Sequence, residues 1–292
     1  MTATTAPAHV LAASYSRDRV ALAAFWVLAM LLLAAFTAPW IAPQNPYDLA
    51  QLDILDAKLE PGTGSSNSLR YWLGTDDQGR DMLSAILYGL RISLGVGIAS
   101  TVLAAGIGLI AGLIAARAGG WMDGLIMRVV DLQLSFPAIL VALILLALTG
   151  QGIDRIVFAL VVVQWAYYAR TVRAAALVEL RKEYVEAAVC MGVGEARILL
   201  RHVLPNVLPP VMVVATVQIA QAIALEATLS FLGLGLPITE PSLGLLIANG
   251  YTHLLSGKYW ISFFPGIALL VTIVAINLVG DRLRDLLNPR LG

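Results

Sequence analysis

From Glu183 to Asn206 the chain reads Glu-Tyr-Val-Glu-Ala-Ala-Val-Cys-Met-Gly-Val-Gly-Glu-Ala-Arg-Ile-Leu-Leu-Arg-His-Val-Leu-Pro-Asn, a polar insert between two strongly apolar blocks. Good helix formers surround Ala187 and Ala188, Gly192 and Gly194 interrupt them, and Glu195 to His202 begins a second helical run. Pro205, which has no amide proton, is expected to stop that run. The stretch therefore predicts two short helices separated by a bend. Small side chains permit close approach of another surface, and Glu183, Glu186, Arg181, Lys182, Arg197 and Arg201 supply charges that can pair across it. On physical grounds alone, a docking surface and an amphipathic helix resting on the inner leaflet fit equally well.

The chain around the insert identifies its solvent. Of 292 residues, 59% are hydrophobic and 13% charged, with a mean hydropathy of +0.81, and one soluble core of this length cannot accommodate that composition. An all-α integral membrane protein is expected. Zero formal net charge and a pI near 6.8 give no sign of a nucleic-acid partner, and the single Cys190 excludes an internal disulfide framework.

Crossing ~30 Å of hydrocarbon takes about 20 apolar residues. Such runs occur at Val20 to Ala38, Ile92 to Ala116, Leu132 to Ile153, Val207 to Leu225 and Tyr259 to Gly280. Ile156 to Ala169 is a shorter sixth, whose flanking Arg155 and Arg170 can snorkel outward while Trp165, Tyr167 and Tyr168 suit an interface. The first run, preceded by Arg17 and Arg19, is longer than an ordinary signal-peptide core and is read as a retained span. With the N-terminus inside, 13 of the 19 Lys and Arg residues fall on the inner side, which makes both termini cytosolic. The expected layout is a cytosolic segment 1–19, a first span 20–38, an extracytoplasmic segment 39–90, a five-helix core 91–281 containing the cytosolic loop 181–206, and a cytosolic tail 282–292.

Two outer segments, Pro39 to Leu90 and Leu232 to Lys258, are too long to be turns alone. The first holds a Pro/Gly/Ser-rich stretch, Glu60 to Ser68, and then Leu-Gly-Thr-Asp-Asp-Gln-Gly-Arg-Asp from Leu73 to Asp81. Thr75 or Asp76 is expected to cap the helix that follows, and the acidic spacing matches turn-and-cap chemistry better than a calcium loop. Gly95, Gly97, Gly106, Gly108 and Gly112 in the second span indicate close helix packing, the last two forming a Gly-x-x-x-Gly.

Several chemistries have no residues to carry them. No Gly-x-x-x-x-Gly-Lys-Ser/Thr is present, and the only Gly-Lys, Gly257-Lys258, continues with Tyr259. His9, His202 and His253 are scattered without cysteine partners at ligand spacing, so no metal site is expected, and no Ser, His and Asp set suggests a nucleophile. Polar groups inside spans are costly in lipid and normally face protein or water. Gln218, Gln221 and Glu226 fall within a sector of roughly 140° at ~100° per residue, where they can line one wall of a path, with Gln164 and Asn277 as secondary candidates. Arg128 and Asp131 read as an interfacial ion pair or as helix-end charges.

The insert resembles the EAA loop of permease subunits of bacterial ABC importers: Glu186, Ala187 and Ala188, then Gly192 after three residues, then Leu204 and Pro205. His202 stands where the general pattern has Ile, but a His-x-Leu-Pro-Asn ending is similar to the peptide and nickel importer branch. So are Leu73 to Asp81, Met-Arg-Val-Val-Asp from Met127 to Asp131 with Phe136-Pro137, Glu226 to Gly235, and Gly280-Asp281 through Asn288-Pro289-Arg290. The resemblance runs from about Arg17 to the C-terminus and points to the second permease of a dipeptide or oligopeptide importer. It implies a type I ABC importer permease fold with six transmembrane helices in the bacterial inner membrane. A second permease, two ATPases holding ATP and Mg, and an extracytoplasmic binding protein are the implied partners. This chain itself would hold no cofactor or metal and do no catalysis. Glu183, Glu186, Ala187, Ala188, Gly192, Arg197, Leu204 and Pro205 are then expected to couple to one ATPase. Nickel chelates, glutathione and opines are alternative cargoes of similar permeases. A self-sufficient secondary transporter or channel, using Glu226 and Asp131 as ion-coupling carboxylates, is the competing class; six helices without an inverted repeat make it the weaker one.

Overall fold

Backbone groups in hydrocarbon must find partners within their own segment, so the apolar runs become helices. The computed structural model describes residues 18–48, 52–64, 70–237 and 239–287; residues 1–17, including His9 and Arg17, part of the Glu60 to Ser68 stretch, and the Asn288-Pro289-Arg290 ending lie outside them. Its helices are α1 (Arg19–Ile41), α2 (Met82–Ala118), α3 (Gly120–Ser135), α4 (Ala138–Thr149), α5 (Ile153–Glu179), α6 (Glu183–Cys190), α7 (Glu195–Ile198), α8 (Leu204–Phe231), α9 (Leu243–Tyr251) and α10 (Trp260–Leu287). Among the described residues the only β pairing is two isolated bridges in the outer segment, Gly64 with Arg70 and Thr75 with Asp81.

Four helices among the described residues are long and apolar enough to cross a membrane: α1, α2, the run from α7 through α8, and α10. The pair α3 and α4 adds a fifth span if counted as one, bent by 91°. That bend corrects the expectation of one continuous span from Leu132 to Ile153. Phe136 precedes Pro137, whose ring disfavours helical backbone at the residue before it, and Phe136 is extended at φ −91° and ψ 140°. The expected sixth span, α5, has 27 residues, about 40 Å at ~1.5 Å each, but carries Asp154, Arg155, Arg170 and Arg173 along its length.

Pro205 does not stop the second helix of the insert, which is a second correction. Leu199–Val203 forms a π-helical turn that joins α7 to α8, and the amide of Leu204 reaches back to the Leu199 carbonyl. Pro205 then falls in the first turn of α8, where a missing N–H is tolerated.

The long helix α2 is the axis of the bundle, touching α1, α5, α8, α9 and α10. Gly108 and Gly112 let α5 lie against it backbone to backbone. A Cβ at Gly108 would sit 2.4 Å from Tyr168 Cβ, and one at Gly112 would sit 2.6 Å from the Ala169 carbonyl oxygen. Gly97 gives way to Ile223 of α8 in the same manner, whereas Gly95 and Gly106 face open space. Tyr168, expected at an interface, is fully buried in this α2–α5 seam. Helix α1 docks on α2 and α10 through Ala21, Ala24, Ala35 and Ala38, while Trp26, Leu33, Phe36 and Trp40 stay exposed, as a lipid-facing surface requires.

Buried apolar residues form four clusters among the described residues, two of which hold the opposite ends of α2. One cluster joins the early part of α2 to α8, α9 and α10 through Met82, Leu90, Ile223, Leu246 and Ile261. The other joins the late parts of α2 and α5 to the insert through Leu113, Val172, Val185, Ala188, Ile198 and Val203. The insert is thus part of the folded body, packed on the ends of α2, α5 and α8.

Candidate functional site

The insert is built on a glycine-terminated helix. Helix α6 ends at Cys190, Gly192 adopts φ +74°, and the Val193 amide bonds back to the Ala188 carbonyl at 3.1 Å across the bend. With ~100° between successive residues, one face of α6 turns inward and the other outward. Val185 and Ala188 are buried in the core, while Glu183, Glu186, Ala187, Val189, Cys190, Met191 and Gly192 are exposed. Ala188 therefore packs the insert onto the bundle, and Ala187 belongs to the open face. Arg197 and Pro205 are exposed and Leu204 is half-buried.

Polar contacts fix this unit to three long helices. The Tyr184 hydroxyl donates to Glu179 at the last residue of α5, and Lys182 pairs with the same carboxylate at 2.7 Å. The Asn206 side-chain amide, in the first turn of α8, donates to the His202 carbonyl at 2.7 Å and to the Tyr184 hydroxyl at 3.2 Å. Arg117, near the end of α2, pairs with Glu195 at the start of α7. Burial, and secondarily the Glu179 carboxylate, push the Tyr184 phenol up to about 12, so it remains a donor at neutral pH. Glu179 and Arg117 carry no sequence signal beyond their charge, and Tyr184 and Asn206 lie inside the insert, Asn206 closing its His-x-Leu-Pro-Asn ending, without any sign that the four residues fasten it to the bundle.

A groove of about 410 Å³ opens between α4, α5 and α8, lined by Gln164, Gln218 and Gln221 together with Tyr167 and Thr228. Gln164 Nε2 donates to the Gln218 carbonyl at 2.9 Å, which ties α5 to α8 at its floor. Glu226 is not in this groove. Its carboxylate is fully buried on another side of α8, accepting from Ser93 Oγ of α2 and from Ser230 Oγ, each at 2.8 Å. The groove residues 218, 221, 224, 225 and 228 centre ~135° from position 226 around the helix, so Glu226 lies outside the arc that the groove occupies. Asn277 is exposed on α10, apart from the groove. Asp131 pairs with Arg170 and Asp123 with Arg173, each at 2.5 Å, so α3 is clamped to α5; the expected Arg128–Asp131 pair does not form.

Residues 104–292 match the family model described as the binding-protein-dependent transport system inner membrane component. The chain belongs to this family. Residues 12–61 of this permease also match the N-terminal transmembrane domain of oligopeptide transport permease C. It is 35% identical over 278 residues to the di/tripeptide transport system permease protein DppC of Pseudomonas aeruginosa, covering 95% of this chain and 90% of that one. It is 41% identical over 268 residues to a putative peptide transport system permease protein of Brucella suis, covering 91% and 86%. Among solved structures, a chain of the methionine ABC transporter MetNI in an inward-facing conformation superposes with a TM-score of 0.57 at 21% identity, covering 71% of this chain and 98% of that one. The fold is therefore that of a type I ABC importer permease.

At the other end of α2, the turn from Leu73 to Asp81 closes the segment before that helix onto the bundle. Asp81, rather than Thr75 or Asp76, caps α2 by accepting from the Ser84 amide at 2.8 Å. Asp76 instead forms a fully buried ion pair with Arg80 at 2.6 Å. Thr75 donates to the Asp56 carbonyl at 2.6 Å and accepts from the Leu59 amide at 2.8 Å, and its own carbonyl takes the Trp260 indole N–H at 3.1 Å. The 52–64 segment, the start of α2 and the start of α10 thus meet at one turn.

Proposed function

We propose that this chain is one of two permease subunits of an ATP-driven importer carrying peptides inward across the bacterial inner membrane. It crosses six times, with α3–α4 and α5 as two of the spans and both termini in the cytosol. A second, related permease completes the pore. Two ATPases hold ATP and Mg beneath it, a binding protein delivers cargo from outside, and this chain performs no hydrolysis. One observation carries the reading: α6 and the bend after it leave Glu183, Glu186, Ala187, Val189, Cys190 and Met191 exposed, uncovered by any of the described residues, while Val185 and Ala188 pack the inner face of α6 into the bundle. An exposed face of acidic and small side chains on a rigid mount suits a protein partner.

Through that face Glu183, Glu186, Ala187, Gly192 and Arg197 engage an ATPase, with Ala188, Leu204 and Pro205 holding its shape. Gln164, Gln218 and Gln221 line this subunit's part of the translocation path. Their amides offer donors and acceptors without net charge, which suits backbone amides of varied peptides. The peptide cargo is supported by the di/tripeptide and peptide permeases to which the chain is similar. The test is reconstitution with the neighbouring permease, ATPases and binding protein. ATP-dependent uptake of radiolabelled Ala-Ala only by the complete assembly is expected, and uptake by this chain alone would refute the proposal.

A further inference from the structure

The insert meets the bundle at two mechanically soft points. On the α5 side the connection is a non-helical turn, Leu180 to Lys182, and on the α8 side it is the π-helical turn Leu199–Val203. A push on α6 would be absorbed at either point unless something spans it. One cluster spans both. Glu179 is 5% exposed at the end of α5 and receives the Tyr184 hydroxyl from α6 and Lys182 at 2.7 Å. Asn206 of α8 reaches back over the π turn to the His202 carbonyl at 2.7 Å and across to the Tyr184 hydroxyl at 3.2 Å. The His202 ring lies over Tyr184, 6.4 Å between centroids and tilted by 32°. The two ends of the insert are therefore fastened to each other at its base, independently of any partner.

We propose that Glu179, Tyr184 and Asn206 are positioning residues for energy coupling, a clasp that makes α5, the insert and α8 move as one body when an ATPase moves α6. The proposal rests on the reading that the exposed face of α6 docks on an ATPase. Rotation of α6 relative to α5 requires breaking contacts to a buried carboxylate, so displacement passes into the spans instead of dissipating in the turns. Tyr184 is central because its one hydroxyl both donates to Glu179 and accepts from Asn206.

The experiment uses the complete importer in proteoliposomes, with ATP hydrolysis and uptake of radiolabelled Ala-Ala measured on the same preparation. Tyr184→Phe removes one oxygen and leaves the ring packing, so assembly and ATP hydrolysis are expected to persist while uptake per ATP falls about fivefold or more. Asn206→Ala should give a comparable loss, and the double variant less than the product of the two, because each single variant already removes the Asn206–Tyr184 contact. Glu179→Gln, which keeps an acceptor for Tyr184, should fall less than Glu179→Ala. Unchanged uptake per ATP in Tyr184→Phe overturns the clasp, and so does a proportional fall of both activities, which would make these residues part of docking or assembly. If Glu179→Ala does not assemble, Tyr184→Phe and Asn206→Ala still decide. Absence of ATP-dependent uptake in the unmodified assembly would instead overturn the importer reading beneath the clasp.

Discussion

Gly192 isolates backbone conformation from steric bulk. Its φ of +74° lies in the left-handed region, yet a Cβ built there meets nothing within 4 Å. Gly192→Ala therefore introduces no clash, only the left-handed strain of an L-residue, about 1–2 kcal/mol. The insert can relieve that strain by unwinding around Cys190 to Gly192, but it then loses the bend, closed by the Val193 amide on the Ala188 carbonyl, that sets α6 against α7. If docking requires the bend, ATPase retention should weaken about 5- to 30-fold, the equilibrium equivalent of that strain. Gly192→Asn is the matched control, because Asn tolerates the left-handed region with a larger side chain. The assay is ATPase subunits retained per permease chain across a dilution series, with uptake measured in parallel. The reasoning requires Asn near the unmodified protein and Ala well below it. Equal behaviour of the Ala and Asn variants would refute it, since bulk or flexibility would then matter and the sign of φ would not.

Gly112→Val places side-chain atoms against the Ala169 carbonyl and Val172, where even a Cβ would lie 2.6 Å from oxygen, so it should separate α2 from α5 and lower the melting temperature in detergent, while Gly106→Ala is silent. Asp76→Ala removes the buried carboxylate that accepts from the Gln78 and Arg80 amides and from Arg80 Nε, a loss of at least about 1–3 kcal/mol that should appear as a lower melting temperature. Glu226→Gln keeps an oxygen for one serine and an amide for the other, so uptake should stay near normal; Glu226→Leu leaves two buried hydroxyls unpaired, about 1–3 kcal/mol each, and should impair assembly.

The apolar runs were legible because length and uniform hydropathy suffice to place α1, α2, α8 and α10. So was the α6 bend, since Gly192 and Gly194 punctuate a run of good helix formers. Local rules misled where the chain has a second way to satisfy its backbone. Pro205 reads as a stop, but the π turn before it carries the helix through. Phe136-Pro137 was visible in sequence, but the long apolar stretch around it hid a 91° bend. Gln218 and Gln221 share one groove with Gln164 of the neighbouring helix, whereas Glu226 lies on another side of α8, where Ser93, a residue 133 positions earlier, donates to it. Long-range polar contacts have no local periodicity, and for the same reason Glu179, Tyr184 and Asn206 were unreadable as a unit.

Cys190 provides the most direct measurement, because it is the only cysteine in the chain and lies on the exposed face of α6. A membrane-impermeant maleimide applied to inside-out vesicles should label it rapidly when this permease and its partner permease are present without ATPases. Assembly with the ATPases should then protect it, and right-side-out cells should leave it unlabelled. Labelling from the outer side, or equal labelling with and without the ATPases, would contradict the claim that this face is the cytosolic coupling surface.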